Sequence, residues 1–196
     1  MYLLSSLSFM KNILVIGGGT AGWLTALFAR QHYKNSIVTL VESKEIGIVG
    51  AGEGSSVDFP NFLDFLDINH KEFLNNTNGT IKKGIRFDKW SKNIFYQIFR
   101  QSHYDYAFHF DSHLVGTYLK SIAKARGVKH IIGDVISLEG EKNINKVTLK
   151  KNQQINTDFI FDCTGFAKLV TGKHFKQKWT SSSKYLNANA AITFSL

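Results

Sequence analysis

Three glycines and one carboxylate form the most specific chemical pattern in the sequence. The glycines are spaced as Gly17-x-Gly19-x-x-Gly22 directly after the apolar run 11–16, and Glu42 follows 20 positions after the last of them. In such a pattern the first glycine permits a tight turn, the second lets a diphosphate approach the backbone, and the third allows close helix–strand packing. An acidic side chain at position 42 accepts hydrogen bonds from ribose hydroxyls and disfavours the 2′-phosphate of NADP. We therefore predict a dinucleotide site rather than a purely structural glycine turn.

The elements that must position these residues are readable around them. Residues 11–16 are apolar, as in a buried parallel strand, residues 23–33 have helical spacing, and residues 37–42 are rich in β-branched residues. The segment thus predicts a complete strand–turn–helix–strand unit. The N-terminus of its helix would offer N–H groups and a partial positive charge to the phosphates.

The rest of the chain alternates helical and strand patterns. Asp58 and Asp111 stand where helix N-caps are expected, with Pro60 in the first turn of the earlier helix. The predicted helices are 58–66, a piece around 71–75, and 111–125, which Gly127 ends. The predicted strands are 81–87, 94–99, 106–110, 129–138, 145–150 after a turn at Gly140, 159–162, and the start of one at 188–196.

Two further segments favour FAD among the dinucleotides. Residues 47–56 form a second glycine-rich loop soon after Glu42, which suits the approach to an extended cofactor. Residues 158–166 place Asp-Cys-Thr-Gly-Phe after a strand, and many FAD proteins with two dinucleotide-binding domains carry a similar acid-x-x-Gly segment. Taken singly, each segment fits an ordinary loop as well as it fits an FAD-binding segment. Together they predict an α/β fold, a Rossmann-like FAD-binding fold of the two-dinucleotide-binding-domain type with additional β-strands.

Composition limits the compartment and the partners. The 196 residues are 43% hydrophobic and 20% charged, which is ordinary for one soluble globular domain. No apolar run reaches the ~18 residues of a membrane span, and the opening stretch lacks the positive segment of a signal peptide. Cys163 is the only cysteine, which excludes an intrachain disulfide and favours a reducing cytoplasm.

The net charge of +9 raises the question of nucleic-acid binding. The basic residues are scattered, however, and Lys173, Lys176 and Lys178 form only a thin cluster. No recognisable nucleic-acid-binding module occurs. We therefore interpret the charge as solvated lysines and expect neither a nucleic-acid nor a membrane partner, while a mildly positive surface also suits an anionic dinucleotide.

The family resemblance becomes specific at Gly17–Trp23. Its sequence, Gly-Gly-Gly-Thr-Ala-Gly-Trp, is the characteristic opening of flavin-dependent tryptophan halogenases. Further segments resemble that family in the same order: Val41–Ser43, Ile48–Gly54, Phe62–Ile68, Asn78–Phe87 with Trp90, Tyr106–Asp111 and Asp162–Phe166. The likeness runs from about residue 11 to the C-terminus.

This resemblance implies FAD as the cofactor, used as FADH2 that a separate flavin reductase supplies. It implies that reduced flavin, O2 and halide give hypohalous acid, which an active-site lysine directs onto a carbon of tryptophan or another aromatic or indole substrate. Lys82 matches that lysine within Lys-x-Gly-Ile-x-Phe, and Lys83 is the second choice. The cofactor-binding residues that we assign are Gly17, Gly19, Thr20, Ala21, Gly22, Glu42, Ser43, Ala51, Gly52, Glu53, Val135, Asp162 and Gly165, and no metal ligand is assigned.

The sequence also departs from the family pattern. Ser55-Ser56-Val57 stands where the family has a proline after its Gly-Glu loop, and no Trp-x-Trp-x-Ile-Pro segment occurs. The resemblance implies that this segment belongs to a further half of the enzyme that the sequence lacks. That half would also contain the substrate pocket, the halide-binding backbone and the glutamate that pairs with the lysine. We therefore expect residues 1–9 to be an extension before Met10, and 10–196 to be an FAD-binding domain incomplete at its C-terminus. Alone it would be inactive, or would need the missing half from another chain.

Two other functions remain open at this stage. An FAD-dependent aromatic monooxygenase would share the fold without needing Lys82, and a truncated flavin-binding remnant would have no catalysis at all. The substrate and the choice between chloride and bromide are not readable. His109 and His113 are spaced like metal ligands on a helix, but the predicted cap at Asp111 favours ordinary histidines. Cys163 is expected to be an inert buried thiol.

Overall fold

The computed structural model describes residues 10–48, 54–100, 104–188 and 190, and the chain divides into two compact units. The first unit comprises residues 1–51 and 122–196, and the second comprises residues 52–121. The extension at 1–9, the assigned residues Ala51, Gly52 and Glu53, and nearly all of the strand expected from Ala188 lie outside the described residues. The assignment of 10–196 to one incomplete FAD-binding domain stays a prediction.

The elements follow one another along the chain as a mixture of strands and helices. The strands are β1 (Asn12–Ile16), β2 (Ile37–Glu42), β3 (Thr80–Lys82), β4 (Gly84–Phe87), β5 (Phe95–Ile98), β6 (Ala107–His109), β7 (Lys129–Ile132), β8 (Val135–Glu139), β9 (Lys146–Leu149), β10 (Gln154–Asn156) and β11 (Phe159–Asp162). The helices are α1 (Thr20–His32), α2 (Phe59–Phe65), α3 (His70–Asn76) and α4 (Ser112–Ala125), and shorter helical turns lie at Lys150–Asn152, Gly165–Ala167 and Leu169–His174.

A four-stranded parallel sheet in the order β11-β1-β2-β7 forms the centre of the first unit. Strands β1 and β2 are buried almost throughout, which explains why their sequences are continuous apolar runs rather than alternating ones. The predicted strand–turn–helix–strand unit is therefore confirmed as β1, α1 and β2. The predicted strand at 159–162 is confirmed as the parallel neighbour of β1.

A second sheet of the first unit is antiparallel, in the order β10-β9-β8. Its buried side chains pack with those of the parallel sheet in one apolar cluster. That cluster consists of Leu14, Ile16, Val41, Ile144, Val147, Leu149 and Val170. The core thus lies between the two sheets and fixes the ends of β1 and β2 from one side.

The single strand predicted at 129–138 is wrong. The chain leaves the parallel sheet after β7 and enters the antiparallel sheet at β8, with Gly133 and Asp134 between them. At this break the Gly133 N–H donates to the Glu42 carbonyl oxygen at 2.9 Å, and the Lys150 N–H donates to that of Asp134 at 2.8 Å. Strand β10 is not among the strands predicted from the sequence. The predicted turn at Gly140 is confirmed, with a φ of 126°.

An aromatic cluster forms the core of the second unit. Phe73 and Phe108 are fully buried, and Phe59 packs against both rings with centroids 5.5 and 6.3 Å away. Helix α2 begins as predicted with Pro60 in its first turn, but its predicted cap is wrong because the Asp58 side chain makes no capping hydrogen bond. Helix α3 is capped by Asn69, whose side chain accepts from the Glu72 N–H at 3.0 Å.

The strand predicted at 81–87 is also wrong as a single element. It divides at Lys83 into β3, which pairs antiparallel with β6, and β4, which pairs with β5. The cap predicted at Asp111 is confirmed, since its carboxylate accepts from the N–H groups of His113 and Leu114 at the start of α4. Gly127 follows that helix with a φ of 86°, as a C-terminal glycine should.

The described ranges contain no helix that combines the length and the apolarity needed to cross a bilayer.

Two glycine substitutions in the β1–α1 turn should show which position is sterically restricted and which has room for a side chain. Gly17 has a φ of 116°, and a Cβ there would lie 2.2 Å from the Cys163 carbonyl oxygen, whereas Gly19 has a φ of −74° and nothing within 4 Å of its Cβ position. We expect Gly17→Ala to lower the free energy of unfolding by about 2 kcal/mol or more, and Gly19→Ala to change it by less than ~0.5 kcal/mol. Urea unfolding followed by circular dichroism measures both, and equal effects would contradict this assignment.

Candidate dinucleotide site

The β1–α1 turn lies at the carboxyl edge of the parallel sheet, between the ends of two neighbouring strands. The Gly17 N–H donates to the Val41 carbonyl oxygen of β2 at 2.8 Å, and the Cys163 N–H donates to that of Ile16 at 2.9 Å. Three backbone segments therefore meet within hydrogen-bonding distance. This is the edge at which open parallel sheets bind ligands.

The glycines of the β1–α1 turn and the start of α1 differ in what surrounds them. A Cβ on Gly22 would lie 1.9 Å from the Gly17 carbonyl oxygen, and one on Gly18 would lie 1.7 Å from Oε2 of Glu42. A Cβ on Gly19 would meet nothing within 4 Å. Gly17, Gly18 and Gly22 are thus required by contacts within the protein, whereas Gly19 faces open space. The cradle fits a diphosphate, because the open side lies where the pattern places the phosphate approach.

The first turn of α1 suits an anion. Gly19 is its N-cap and provides no side-chain hydrogen bond, and no acidic residue follows in the first turn, which contains Thr20 and Ala21. The first N–H groups of a helix have no acceptor within the helix, and the helix dipole adds positive potential there. Thr20 and Ala21 therefore lie where N–H groups would meet a phosphate.

Glu42 ends β2 beside this turn and contacts a residue that sequence reasoning missed. Nε2 of His130, in β7, donates to Oε1 of Glu42 at 2.8 Å. The register pairs Leu40 with His130, so the histidine lies on the same face of the sheet as Glu42. No sequence signal identifies this pair, since 88 positions separate its members.

Ser43, which follows Glu42, is hydrogen-bonded to Asp134, the residue before Val135. The Ser43 hydroxyl donates to the Asp134 carboxylate, and this bond, assisted by the Lys150 ammonium at 3.6 Å, lowers the pKa of Asp134. Val135 follows directly as the first residue of β8, opposite Leu149. Asp134, which lies between β7 and β8, is thus hydrogen-bonded to Ser43, the residue after Glu42.

Asp162 ends β11 and accepts hydrogen bonds from its own downstream segment. Its carboxylate binds the hydroxyl of Thr164 at 2.6 Å, the N–H of Val170 at 3.1 Å, and both the N–H and the hydroxyl of Thr171 at 2.9 and 3.1 Å. Burial raises the pKa of Asp162, but the hydrogen bonds from Thr164 and Thr171 outweigh it and hold that pKa below its ordinary value. The carboxylate therefore fixes the loop that carries Gly165.

Gly165 lies on the surface with a φ of 57°, at an open depression of about 510 Å³. The depression is lined by Gly165, Phe166, Lys168 and Trp179. Nζ of Lys168 lies 4.1 Å from the centroid of the Trp179 ring. This depression adjoins the segment that sequence reasoning assigned to the cofactor, although its lining is mostly apolar.

Lys82 belongs to the second unit, at the end of β3. It is half-buried, and its Nζ lies 5.6 Å from the Phe99 ring centroid. A Cβ on Gly54 would lie 3.4 Å from that Nζ and 3.5 Å from Nδ1 of His109, so lysine and histidine share one face of the β3–β6 pair. Lys83, the second choice, lies exposed at the break between β3 and β4.

Neither Cys163 nor the pair His109 and His113 forms a reactive or metal-binding site in the described residues. Burial raises the pKa of the Cys163 thiol, whose Sγ lies 3.7 Å from the Thr25 hydroxyl, so a reactive thiolate is disfavoured. His109 lies on β6 and His113 in α4, on two different elements. Within the described ranges no three His, Cys, Asp or Glu side chains approach closely enough to hold a metal ion.

Comparison with known proteins identifies the family. The sequence profile described as tryptophan halogenase matches residues 12–105 and 95–196, which is nearly the whole chain. This chain belongs to the tryptophan halogenase family. Among curated relatives, tryptophan 6-halogenase SttH of Streptomyces toxytricini is 25% identical over 255 residues, covering 92% of this chain and 49% of the relative. Tryptophan 7-halogenase RebH of Lentzea aerocolonigenes is 24% identical, covering 93% and 48%.

Solved structures of the family share the fold. MibH, a lathipeptide tryptophan 5-halogenase, superimposes with a TM-score of 0.84 at 27% identity, over 90% of this chain and 44% of its own. Tar14, a tryptophan C-6 flavin-dependent halogenase, gives a TM-score of 0.83 at 25% identity, over 88% and 46%. The predicted Rossmann-like α/β fold is confirmed. The chain spans about half the length of the relatives that it matches.

The Asp162 network predicts a pH-dependent contribution to stability. Because the folded pKa lies below the ordinary 3.8, the carboxylate stabilises the fold above about pH 4, and this contribution is lost as pH falls through the folded pKa. Asp162→Asn should lower the free energy of unfolding at pH 7 by about 1 kcal/mol, reduced by partial solvent screening. The difference in unfolding free energy between wild type and Asp162→Asn should narrow as the pH falls below the ordinary pKa of 3.8 and through the lowered pKa of Asp162.

Urea titrations of both proteins at pH 7 and at low pH measure this gap. Asp105→Asn, at an exposed position, is the matched control and should be neutral at each pH. A gap that stays constant between the two pH values would contradict the assigned role of the Asp162 charge.

Proposed function

We propose that this chain forms the FAD-binding portion of a flavin-dependent halogenase. One observation carries the proposal: Gly19 faces open space while Gly17 and Gly22 are closed in by backbone, and Glu42 lies beside the same turn. This is the arrangement that a diphosphate linked to a ribose requires. The family supports flavin as the rest of the ligand.

The assigned residues fall into groups with different tasks in this proposal. N–H groups of Gly19, Thr20, Ala21 and Gly22 hold the diphosphate, and Glu42 accepts from the ribose hydroxyls. Ser43 and Val135 form the part of the site proposed to face the adenosine. The hydrogen bond of Ser43 to Asp134, the residue before Val135, fixes the segment between β7 and β8 there. Asp162 and Gly165 form the edge at the end of β11, where Asp162 acts by fixing the loop. Roles for Ala51, Gly52 and Glu53 rest on the resemblance alone.

Lys82 is proposed as the catalytic lysine of the complete enzyme. When bound, reduced flavin supplied by a separate reductase provides hypohalous acid from O2 and halide. The Lys82 ammonium then holds this oxidant through N–H donors and positive charge, which fixes its position against an aromatic substrate. Half-burial of Lys82 between Phe99 and Gly54 supports this role over that of a fully solvated lysine.

A flavin titration tests the binding half of the proposal. We expect the purified chain to bind FAD, and Gly19→Val to raise the Kd at least tenfold, because the new side chain fills the phosphate approach. Ala125→Val adds similar bulk at an exposed position of α4 and should leave the Kd unchanged. Quenching of flavin fluorescence measures all three. Equal Kd values for wild type and Gly19→Val would refute the site.

An activity assay tests the catalytic half. With reduced FAD, oxygen, bromide or chloride, and indole, we expect no halogenated product from this chain alone, because the Trp-x-Trp-x-Ile-Pro segment is absent from the sequence. Mass spectrometry of the indole products gives the readout. Halogenated product that depends on Lys82 and survives Lys83→Ala would contradict the expected inactivity and support Lys82. Hydroxylated product that survives Lys82→Ala would favour an aromatic monooxygenase.

A further inference from the structure

The Glu42 carboxylate is hydrogen-bonded through one oxygen and lies close to Gly18 with the other. Oε1 accepts from Nε2 of His130 at 2.8 Å, and Oε2 lies over Gly18, 1.7 Å from where a Cβ of that glycine would be. The side chain of Glu42 is 19% exposed, and that of His130 only 9%. The acid therefore has a defined orientation at the mouth of the turn.

His130 is itself fixed by two independent elements. Its backbone belongs to β7, whose register with β2 sets its height beside Glu42. Its ring packs edge-on against Trp23, with centroids 5.2 Å apart and planes at 62°. Trp23 is 1% exposed and lies in the first turns of α1. The histidine thus connects the helix that follows the glycine turn with the acid at the end of β2.

The chemistry of this contact favours a positioning role. A carboxylate only accepts hydrogen bonds, so Nε2 of His130 carries the proton. A glutamate has several rotatable bonds, and ordering it upon ligand binding costs conformational entropy. A donor that already holds Oε1 removes part of that cost and leaves Oε2 directed toward Gly18 and the turn.

We propose that His130 is a positioning residue that orients Glu42 for the ribose hydroxyls of an adenosine diphosphate moiety. The inference rests on the proposed FAD binding and extends it by one residue outside the fingerprint. His130 acts through Glu42 and does not contact the ligand. Its effect should therefore appear only with ligands that carry ribose hydroxyls, and only while the side chain at position 42 provides a hydrogen-bond acceptor.

Binding of FAD, ADP and 2′,3′-dideoxy-ADP to single and double variants tests this inference by calorimetry. His130→Leu should weaken FAD and ADP binding about three- to tenfold, the cost of ordering one freed side chain. Dideoxy-ADP, which lacks the hydroxyls, should be unaffected. His130→Gln places an amide N–H near the position of Nε2 and should restore most of the affinity. In a Glu42→Ala background, which removes the acceptor, His130→Leu should have no further effect.

The outcomes are distinguishable. Absence of FAD and ADP binding by the wild-type chain would overturn the proposed function and this inference with it. Wild-type binding together with unchanged affinity in His130→Leu would overturn the inference alone. So would equal weakening of ADP and dideoxy-ADP, because that result indicates a general loss of structure. If His130→Leu fails to fold, His130→Asn is compared with His130→Gln. The shorter Asn side chain should not reach Glu42, so the His130→Asn variant should bind ADP more weakly than the His130→Gln variant.

Discussion

The close approach of three backbone segments at Gly17 is the constraint on which the first unit depends. The turn after β1 passes between the ends of β2 and β11. On one side the Gly17 N–H donates to the Val41 carbonyl oxygen, and on the other side Gly17 lies close to the Cys163 carbonyl. A side chain at Gly17 would meet that carbonyl, and its φ of 116° is one that glycine tolerates without strain. The start of α1 is consequently fixed relative to Glu42 and to the segment after Asp162.

Burial of the parallel strands on both faces makes this edge the natural place for a ligand. Apart from Ile37 at the start of β2, the apolar side chains of β1 and β2 are buried, and the cluster shared with β9 and the helical turn at Leu169–His174 covers one face. Polar groups then appear where the strands end. Glu42, Asp162 and the first turn of α1 follow three neighbouring strands, so one edge gathers both acids and the helix N-terminus.

The two carboxylates at this edge are held in different ways. Asp162 accepts hydrogen bonds from Thr164, Val170 and Thr171, all within the segment that follows it. These bonds fix the conformation of that loop. Glu42 contacts His130, which another strand supplies. In the proposed function these contacts correspond to different tasks: Asp162 fixes the loop after β11, and Glu42 is the acid proposed to accept from the ribose.

The sequence by itself determined the strand–turn–helix–strand unit, the tight turn at Gly17, the close packing at Gly22 and the caps of α4, because these depend on neighbouring residues and on short-range hydrogen bonds. It also indicated the family, through motifs in a fixed order. Only the tertiary structure decided that 129–138 and 81–87 each divide between two sheets, because an apolar run does not state which partner strand it pairs with. The contact of His130 with Glu42 and that of Asp134 with Ser43 were invisible for the same reason. Each joins residues far apart in the chain, and strand register alone brings them together.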